Sequence, residues 1–177
     1  MHGDIEVPKG ATVQEIVRTS GRPEDVGGND RQIDLAWAAG FFDGEGHIAI
    51  HRSRQYGKRQ PSYSLQIMVA QVDKSLCPRL QSILGGKVTR YAMKQGGNRA
   101  PFKWVWRVHG QTASQALSDM LPYLVGKREQ AEVGIELQSR KRTKTIPRKA
   151  LTPDEAMWQK SQADKLLDIR SRIKSNN

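Results

Sequence analysis

The chain has 177 residues, the span of one ordinary domain, and its 29 Lys and Arg against 18 Asp and Glu leave a formal net charge of +11. A mean hydropathy of −0.66 and a longest apolar run of only Leu35 to Phe42 exclude a membrane-spanning helix, which needs roughly 18 apolar residues. The one cysteine, Cys77, excludes an internal disulfide and a zinc knuckle and is expected as a small core residue. Met1 to Thr12 shows neither the basic nor the apolar region of a signal peptide.

The charge is unevenly placed. Residues 1–46 carry a net −5, residues 47–149 a net +15 and residues 150–177 a net +1. So basic a stretch calls for a polyanionic partner, and nucleic acid comes first, because duplex DNA presents about one negative charge per 1.7 Å of axis. A solvated basic surface is the bland alternative.

In chain order, residues 1–28 hold Gly and Pro breaks and little periodicity, and read as an appended, mobile extension. Asn29 and Gln32 fit a capping box ahead of a helix over Ile33–Phe42. After Gly46 the period changes to two, predicting strands at His47–Arg54 and Ser62–Gln71 joined by a basic loop. Asp73–Leu84 reads as a helix with Leu76, Leu80, Ile83 and Leu84 on one side and Pro78 in its first turn, stopped by Gly85-Gly86. A second strand pair, Lys87–Lys94 and Phe102–His109, surrounds the turn Gln95-Gly96-Gly97-Asn98. Thr112–Leu121 is a third helix, and Pro122 opens or kinks a fourth that runs to about Gln138. Residues 139–177 form a basic connector and a last helix, with Thr152 as its cap and Pro153 at its first position. The expected class is α+β, with a four-stranded antiparallel sheet.

The segment Leu35-Ala36-Trp37-Ala38-Ala39-Gly40-Phe41-Phe42-Asp43-Gly44-Glu45-Gly46 is the most informative. Ala36, Ala39 and Gly40 place small residues at i, i+3 and i+4, which lets a second helix approach closely. Asp43 and Glu45 fall at the helix C-terminus, where the macrodipole disfavours a carboxylate by about 0.3 to 1 kcal/mol. Two acids set against the dipole, beside a basic surface, suggest a hard divalent cation; a solvated Asp-Gly and Glu-Gly turn is the other reading. Elsewhere, Gly85-Gly86-Lys87-Val88 lacks the spacing of a phosphate loop. His47 and His51, four apart on a strand, would lie about 13 Å apart, too far to share a metal.

This stretch resembles the LAGLIDADG signature of homing endonucleases, with Ala-Gly-Phe-Phe-Asp-Gly-Glu-Gly matching its second half, and the order of elements over roughly residues 31–138 resembles the family's αββαββα unit. The resemblance implies that Glu45 is the metal-coordinating acid, that Gly44 offers its backbone carbonyl, and that Asp43 is a further candidate ligand better suited to capping or tuning. Glu45 stands where the family often has Asp. Val69-Ala70-Gln71 matches the strand end whose glutamine orders solvent, and Lys127-Arg128-Glu129-Gln130-Ala131 matches a run whose lysine abuts the scissile phosphate. Glu45, Gln71 and Lys127 are therefore the implied catalytic set. Where some members carry a basic residue just after the glutamine, this chain has Lys74 and Ser75. The implied cofactor is Mg2+, with Mn2+ able to substitute and Ca2+ able to support binding without cleavage.

One face of the strands should pack on the helices and the other should meet the major groove. Ile48 and Ile50 put His47, Ala49, His51 and Ser53 on the opposite, outward face; Leu65, Ile67 and Val69 leave Ser62, Ser64, Gln66 and Met68 outward. Lys87, Thr89 and Tyr91 share a face of the third strand. In the fourth strand, Lys103 and Arg107 outward with Trp104 and Trp106 inward is the preferred assignment. Arg52, Arg54, Lys58 and Arg59 suit phosphates, and Arg140, Lys141 and Arg142 either track the backbone or form a solvated run.

The expected protein is a sequence-specific, metal-dependent double-strand DNA endonuclease of the single-motif type. The family implies 3′ overhangs and an origin within a mobile intron. With one motif, it needs a homodimer, formed through Ala36, Ala39 and Gly40, on a long near-palindromic target; no membrane partner is expected. An intron maturase acting on RNA and a non-cleaving DNA-binding regulator are the rivals.

Overall fold

The computed structural model describes residues 26–53, 60–92, 102–141 and 151–175. The elements are α1 (Val26–Glu45), β1 (Gly46–Arg52), β2 (Tyr63–Gln71), α2 (Leu76–Leu84), β3 (Lys87–Ala92), β4 (Phe102–His109), α3 (Gly110–Met120), a 3-10 turn (Leu121–Tyr123), α4 (Arg128–Ser139) and α5 (Pro153–Ser175). This is the αββαββα order with two further helices, α4 and α5, after it. By its internal contacts the chain divides into Met1–Asp34 and Leu35–Asn177. In the first unit, the described residues 26–34 are helical. The second holds the motif, the whole sheet and the other helices.

The four strands form one antiparallel sheet in the order β1-β2-β4-β3. Register fixes two faces. Ile48 pairs with Ile67 and Ile50 with Leu65, while Val108 pairs with Ile67 and Trp106 with Val69, so the alternating apolar residues coincide across β1, β2 and β4. This face is covered by helices, and Phe42, Leu80, Leu117, Met120 and Leu137 complete the core. Trp106 meets Phe42 edge to face at 6.4 Å and donates its indole N–H to the Gly85 carbonyl at 2.8 Å, which satisfies the one polar atom of a wholly buried ring. Cys77 is buried as expected, and burial raises its thiol pKa.

Three sequence expectations need correction. Helix α1 begins at Val26, so Asn29 lies inside it; Gly27 and Gly28 cost helix stability, about 1 kcal/mol each, without sterically forbidding it. The helix expected from Pro122 to Gln138 is broken: Leu124 is extended, and the chain turns through 125–127 before α4. Ala39, expected at a helix contact with a second chain, is fully buried in its own core together with Ala38.

The start of α5 follows expectation. Glu155 N–H donates to Thr152 Oγ1 at 3.2 Å and Thr152 N–H to Glu155 Oε2 at 2.9 Å, a reciprocal capping box. Tyr63 N–H, opposite Arg52 at one end of the β1–β2 pair, donates to buried Gln159 of α5 at 2.9 Å. At the other end His47 meets Arg170 of α5. The helix rise from 159 to 170, about 16 Å, matches five strand residues at about 3.3 Å each, so α5 runs antiparallel alongside β1. The covered strand is a sheet edge, a position proteins protect against stray pairing.

Gly46 is where α1 becomes β1, and a Cβ there would lie 2.4 Å from both the ring and the carbonyl oxygen of Phe42. Gly46→Ala is expected to destabilise the fold by about 1 to 3 kcal/mol, read as a lower urea midpoint with an unchanged m-value.

Candidate active site and nucleic-acid interface

The end of α1 carries two acids with different surroundings. Asp43 accepts three backbone hydrogen bonds, from Val125 N–H at 2.7 Å, Gly126 N–H at 3.1 Å and Lys127 N–H at 2.8 Å, and Lys127 Nζ donates back to the Asp43 carbonyl. The carboxylate thus opposes the dipole of its own helix but sits at the N-terminal approach to α4, where an anion is favoured. Charged hydrogen bonds of about 1.5 to 3 kcal/mol each outweigh a dipole cost of about 0.3 to 1 kcal/mol. Asp43 is therefore a structural clamp, in line with the capping role preferred for it over metal ligation. Glu45 is the opposite case: it is exposed and makes no side-chain hydrogen bond or ion pair among the described residues.

The clamp also brings Lys127 to Glu45. Burial lowers the Lys127 pKa, and the charges of Asp43 and Glu45 act in the other direction. His47, two residues on, has its pKa lowered by burial first and then by Arg170, His51 and Lys127. Gln71 ends β2 two residues beyond Val69, the partner of Gly46, on the helix-covered face and half-buried. Glu45, Gln71 and Lys127 thus belong to one end of the β1–β2 pair.

No group of three or more His, Cys, Asp or Glu residues able to hold a metal occurs among the described residues. The donors at the end of α1 still suit Mg2+, which is commonly held by one or two carboxylates together with substrate phosphates and water. Glu45 offers a free carboxylate and Gly44 an adjacent carbonyl, both exposed.

The other face of the sheet carries His47 and His51 from β1, Ser64, Gln66 and Met68 from β2, Lys103 and Arg107 from β4, and Lys87, Thr89 and Tyr91 from β3, as register requires. Lys103 and Arg107 face outward with both tryptophans inward, in agreement with the preferred assignment. Arg107 Nη1 donates to Tyr91 OH at 3.2 Å. Ala49 shares this side but is 8% exposed, so it is a floor residue and offers little contact surface. Ser53 and Ser62 tie the hairpin: Ser53 N–H donates to the Ser62 carbonyl at 2.7 Å and Ser62 N–H to Ser53 Oγ at 2.9 Å. Arg52 lies on the opposite parity but is exposed at the strand end.

Two expected phosphate contacts are engaged inside the chain. Lys141 Nζ donates to the Tyr63 carbonyl, and burial lowers its pKa. Arg140 stacks over Trp158 at 4.9 Å and pairs with Glu136 at 3.6 Å. Arg54, Lys58, Arg59 and Arg142 lie outside the described residues. Sequence reasoning missed His109 and Arg170. His109 shares the parity of Arg107 and was within reach of the period-two pattern; Arg170 had no local signal, because its partner His47 is 123 residues away.

Within residues 35–45 the exposed small residues of α1 are Ala36, Gly40 and Gly44, and a Cβ at Gly40 or Gly44 would meet nothing within 4 Å. Gly44 thus takes the place expected of Ala39.

Comparison with known proteins agrees with this architecture. The family model described as LAGLIDADG endonuclease matches residues 38–124, which contain the α1 end, the whole sheet and α3. The fold is similar to that of the homing endonuclease I-CvuI in complex with its target in the presence of Ca, with TM-score 0.62 and 23% identity over 79% of this chain and 83% of that one. It is equally similar to I-CvuI in complex with an I-CreI target in the presence of Mg with the DNA not cleaved, at TM-score 0.62 and 25% identity, with the same coverage. The archaeal intron-encoded homing endonuclease I-Vdi141I complexed with DNA matches at TM-score 0.60 and 14% identity, over 78% of this chain and 84% of that one. No curated protein matches the chain. In motif, sheet and topology the chain is similar to the LAGLIDADG endonucleases.

The two acids should separate in a stability measurement. Asp43→Ala strands three N–H donors and is expected to cost about 1 to 3 kcal/mol or more, whereas Glu45→Gln should stay within about 0.5 kcal/mol of the parent. Equal thermal shifts for the two would show that Asp43 is not the clamp.

Proposed function

We propose that the protein is a sequence-specific, divalent-metal-dependent DNA endonuclease that works as a homodimer, with Glu45, Gln71 and Lys127 as its catalytic set. The observation that carries this reading is the Glu45 carboxylate, unpartnered among the described residues and held beside Lys127 at the end of a sheet whose open face bears His47, His51, Lys87, Lys103 and Arg107. The relatives that share the fold are homing endonucleases solved with DNA, in Ca or Mg, and a basic sheet face of this size suits a groove and its flanking phosphates. In keeping with the family, cleavage serves intron homing and leaves 3′ overhangs; Mn2+ replaces Mg2+, and Ca2+ supports binding alone.

Bound at Glu45 and the Gly44 carbonyl, a divalent cation supplies Lewis-acid polarisation and a lowered water pKa. The chain's own residues do the rest. Lys127, fixed by its bond to the Asp43 carbonyl, sets a positive charge where negative charge grows on the phosphate. Gln71 is placed to orient water by hydrogen bonding, and the sheet face fixes the duplex so that one phosphodiester meets this end. One chain carries one such acid, so a double-strand break takes two copies. The exposed Ala36, Gly40 and Gly44, beside a Val125 that is 86% exposed, supply a surface for that contact.

A randomised duplex library in Mg2+ tests the activity: the parent should cut a long near-palindromic subset, and Glu45→Gln should bind the same duplex without cutting. A variant that cuts as fast as the parent removes Glu45 from the chemistry, and binding confined to folded RNA would instead favour a maturase.

Because Gly40 faces open space within one chain, Gly40→Leu should leave the melting temperature of the protomer no lower than the parent's and abolish the dimer in sedimentation. A parent that is monomeric both free and on DNA would overturn the homodimer.

A further inference from the structure

The C-terminal helix α5 carries an arginine whose environment differs from that of its neighbours. Lys160 pairs with Asp164 at 2.8 Å, and Arg172 pairs with both Asp168 at 3.2 Å and Glu129 at 3.0 Å. Arg170 has no carboxylate partner among the described residues. Its one polar side-chain contact among them is the ring of His47, with Arg170 Nη2 3.4 Å from Nδ1. The residue is half-buried, anchored on the helix by Ile169 and Leu166, which are 1% and 2% exposed.

A half-buried guanidinium facing only an imidazole keeps most of its five donors open, in a fork suited to an oxyanion. Its position gives that vacancy a meaning. His47 stands two residues after Glu45 on the open face of β1, and the charges of Arg170 and Lys127 both act on it. Arg170 and Lys127 therefore flank the Glu45 end of β1, one delivered by α5 and the other by the turn before α4.

We propose that Arg170 is a substrate-binding residue: its guanidinium takes the backbone phosphate of the DNA strand at the Glu45 end of the sheet, which makes the C-terminal helix part of the active-site wall. This rests on the proposed endonuclease function and adds a contact that lies outside residues 38–124, the segment matched by the family model. A bidentate charged contact of this kind holds a phosphate in orientation as well as in place. The helix can do this because its capping box and the Gln159 bond to Tyr63 of β2 fix its far end at the other end of the β1–β2 pair.

Duplex binding measured over a salt series tests it, since each neutralised phosphate adds about 0.9 to the slope of log K against log salt. Arg170→Met should reduce the slope by about that amount per chain and weaken binding at moderate salt about tenfold, while Arg170→Lys should keep the slope. Arg172→Met removes the same charge from the same helix at a place where Glu129 and Asp168 already match it, and should leave the slope as in the parent. Circular dichroism melts of the three variants separate misfolding from lost contact, and Arg170→Gln serves if the methionine variant is unstable. If the parent binds duplex steeply with salt and Arg170→Met and Arg170→Gln do the same, the phosphate contact is wrong while the endonuclease reading stands. If the parent itself binds no duplex, the endonuclease reading fails and this contact falls with it.

Discussion

The carboxylate of Asp43 holds the candidate site together. Its three hydrogen bonds fasten the end of α1 to the turn before α4, and the return bond from Lys127 locks the same turn to the Asp43 backbone. Because Glu45 follows two residues later and Lys127 is a member of the clamp, acid and cation are placed relative to one another by backbone contacts, with no need for a direct ion pair between them. This matters chemically. A tight Glu45–Lys127 pair would satisfy both charges and leave neither for a metal or a phosphate, whereas the clamp commits Asp43 to structure and leaves Glu45 open.

Gly46 is a second constraint on the same junction. A helix that runs straight into an edge strand must turn within one residue, and here the aromatic ring of Phe42 fills the space a side chain would take. The ring is itself buried against Trp106, so the position of Glu45 is tied to the centre of the core through Phe42. From there the sheet register carries the arrangement outward: the large apolar residues of β1, β2 and β4 share the helix-covered face, and Lys87 of β3 shares the other with Lys103 and Arg107 of β4. Helix α5 then runs along β1, which leaves the open face as the surface free for a large partner.

Much of this was legible in the sequence because it is written at short range. Period-two alternation in 63–71 and 102–109 fixed which side chains face the helices, and the pairing in register confirms it for Lys103 and Arg107. The capping box at Thr152 and Glu155 was a local signal with a local outcome. The sequence misled where the deciding partner was distant. The motif separated Asp43 from Glu45 in role, yet it gave no sign of the backbone donors more than 80 residues away that Asp43 meets. Ala39 and Gly40 are adjacent small residues, and only the packing of the sheet determines that one is core and the other surface. Lys141 and Arg140 read as part of a basic run until Tyr63 and Trp158 claim them. The break at 124–127 was missed for the same reason, since the donors that it frees are taken up by Asp43.

Helix α1 shows how these demands meet in a few residues. Successive positions on a helix turn by about 100°, so Ala38, Ala39 and Phe42 face the core while Ala36, Gly40 and Gly44 face outward. A glycine in a helix costs about 1 kcal/mol relative to alanine, and neither Gly40 nor Gly44 is needed for space within the chain, because a Cβ at either would meet nothing. Within one protomer, alanine at both sites would be the more stable choice by about 2 kcal/mol. The proposed homodimer would supply the compensating term: two such helices can approach backbone to backbone only if this face stays bare, and that approach would draw the two Glu45 residues, each at the end of its own helix, toward each other. On this account the instability of the isolated helix and the position of the acid have one cause, the need for two chains to present paired acids to the two strands of one duplex.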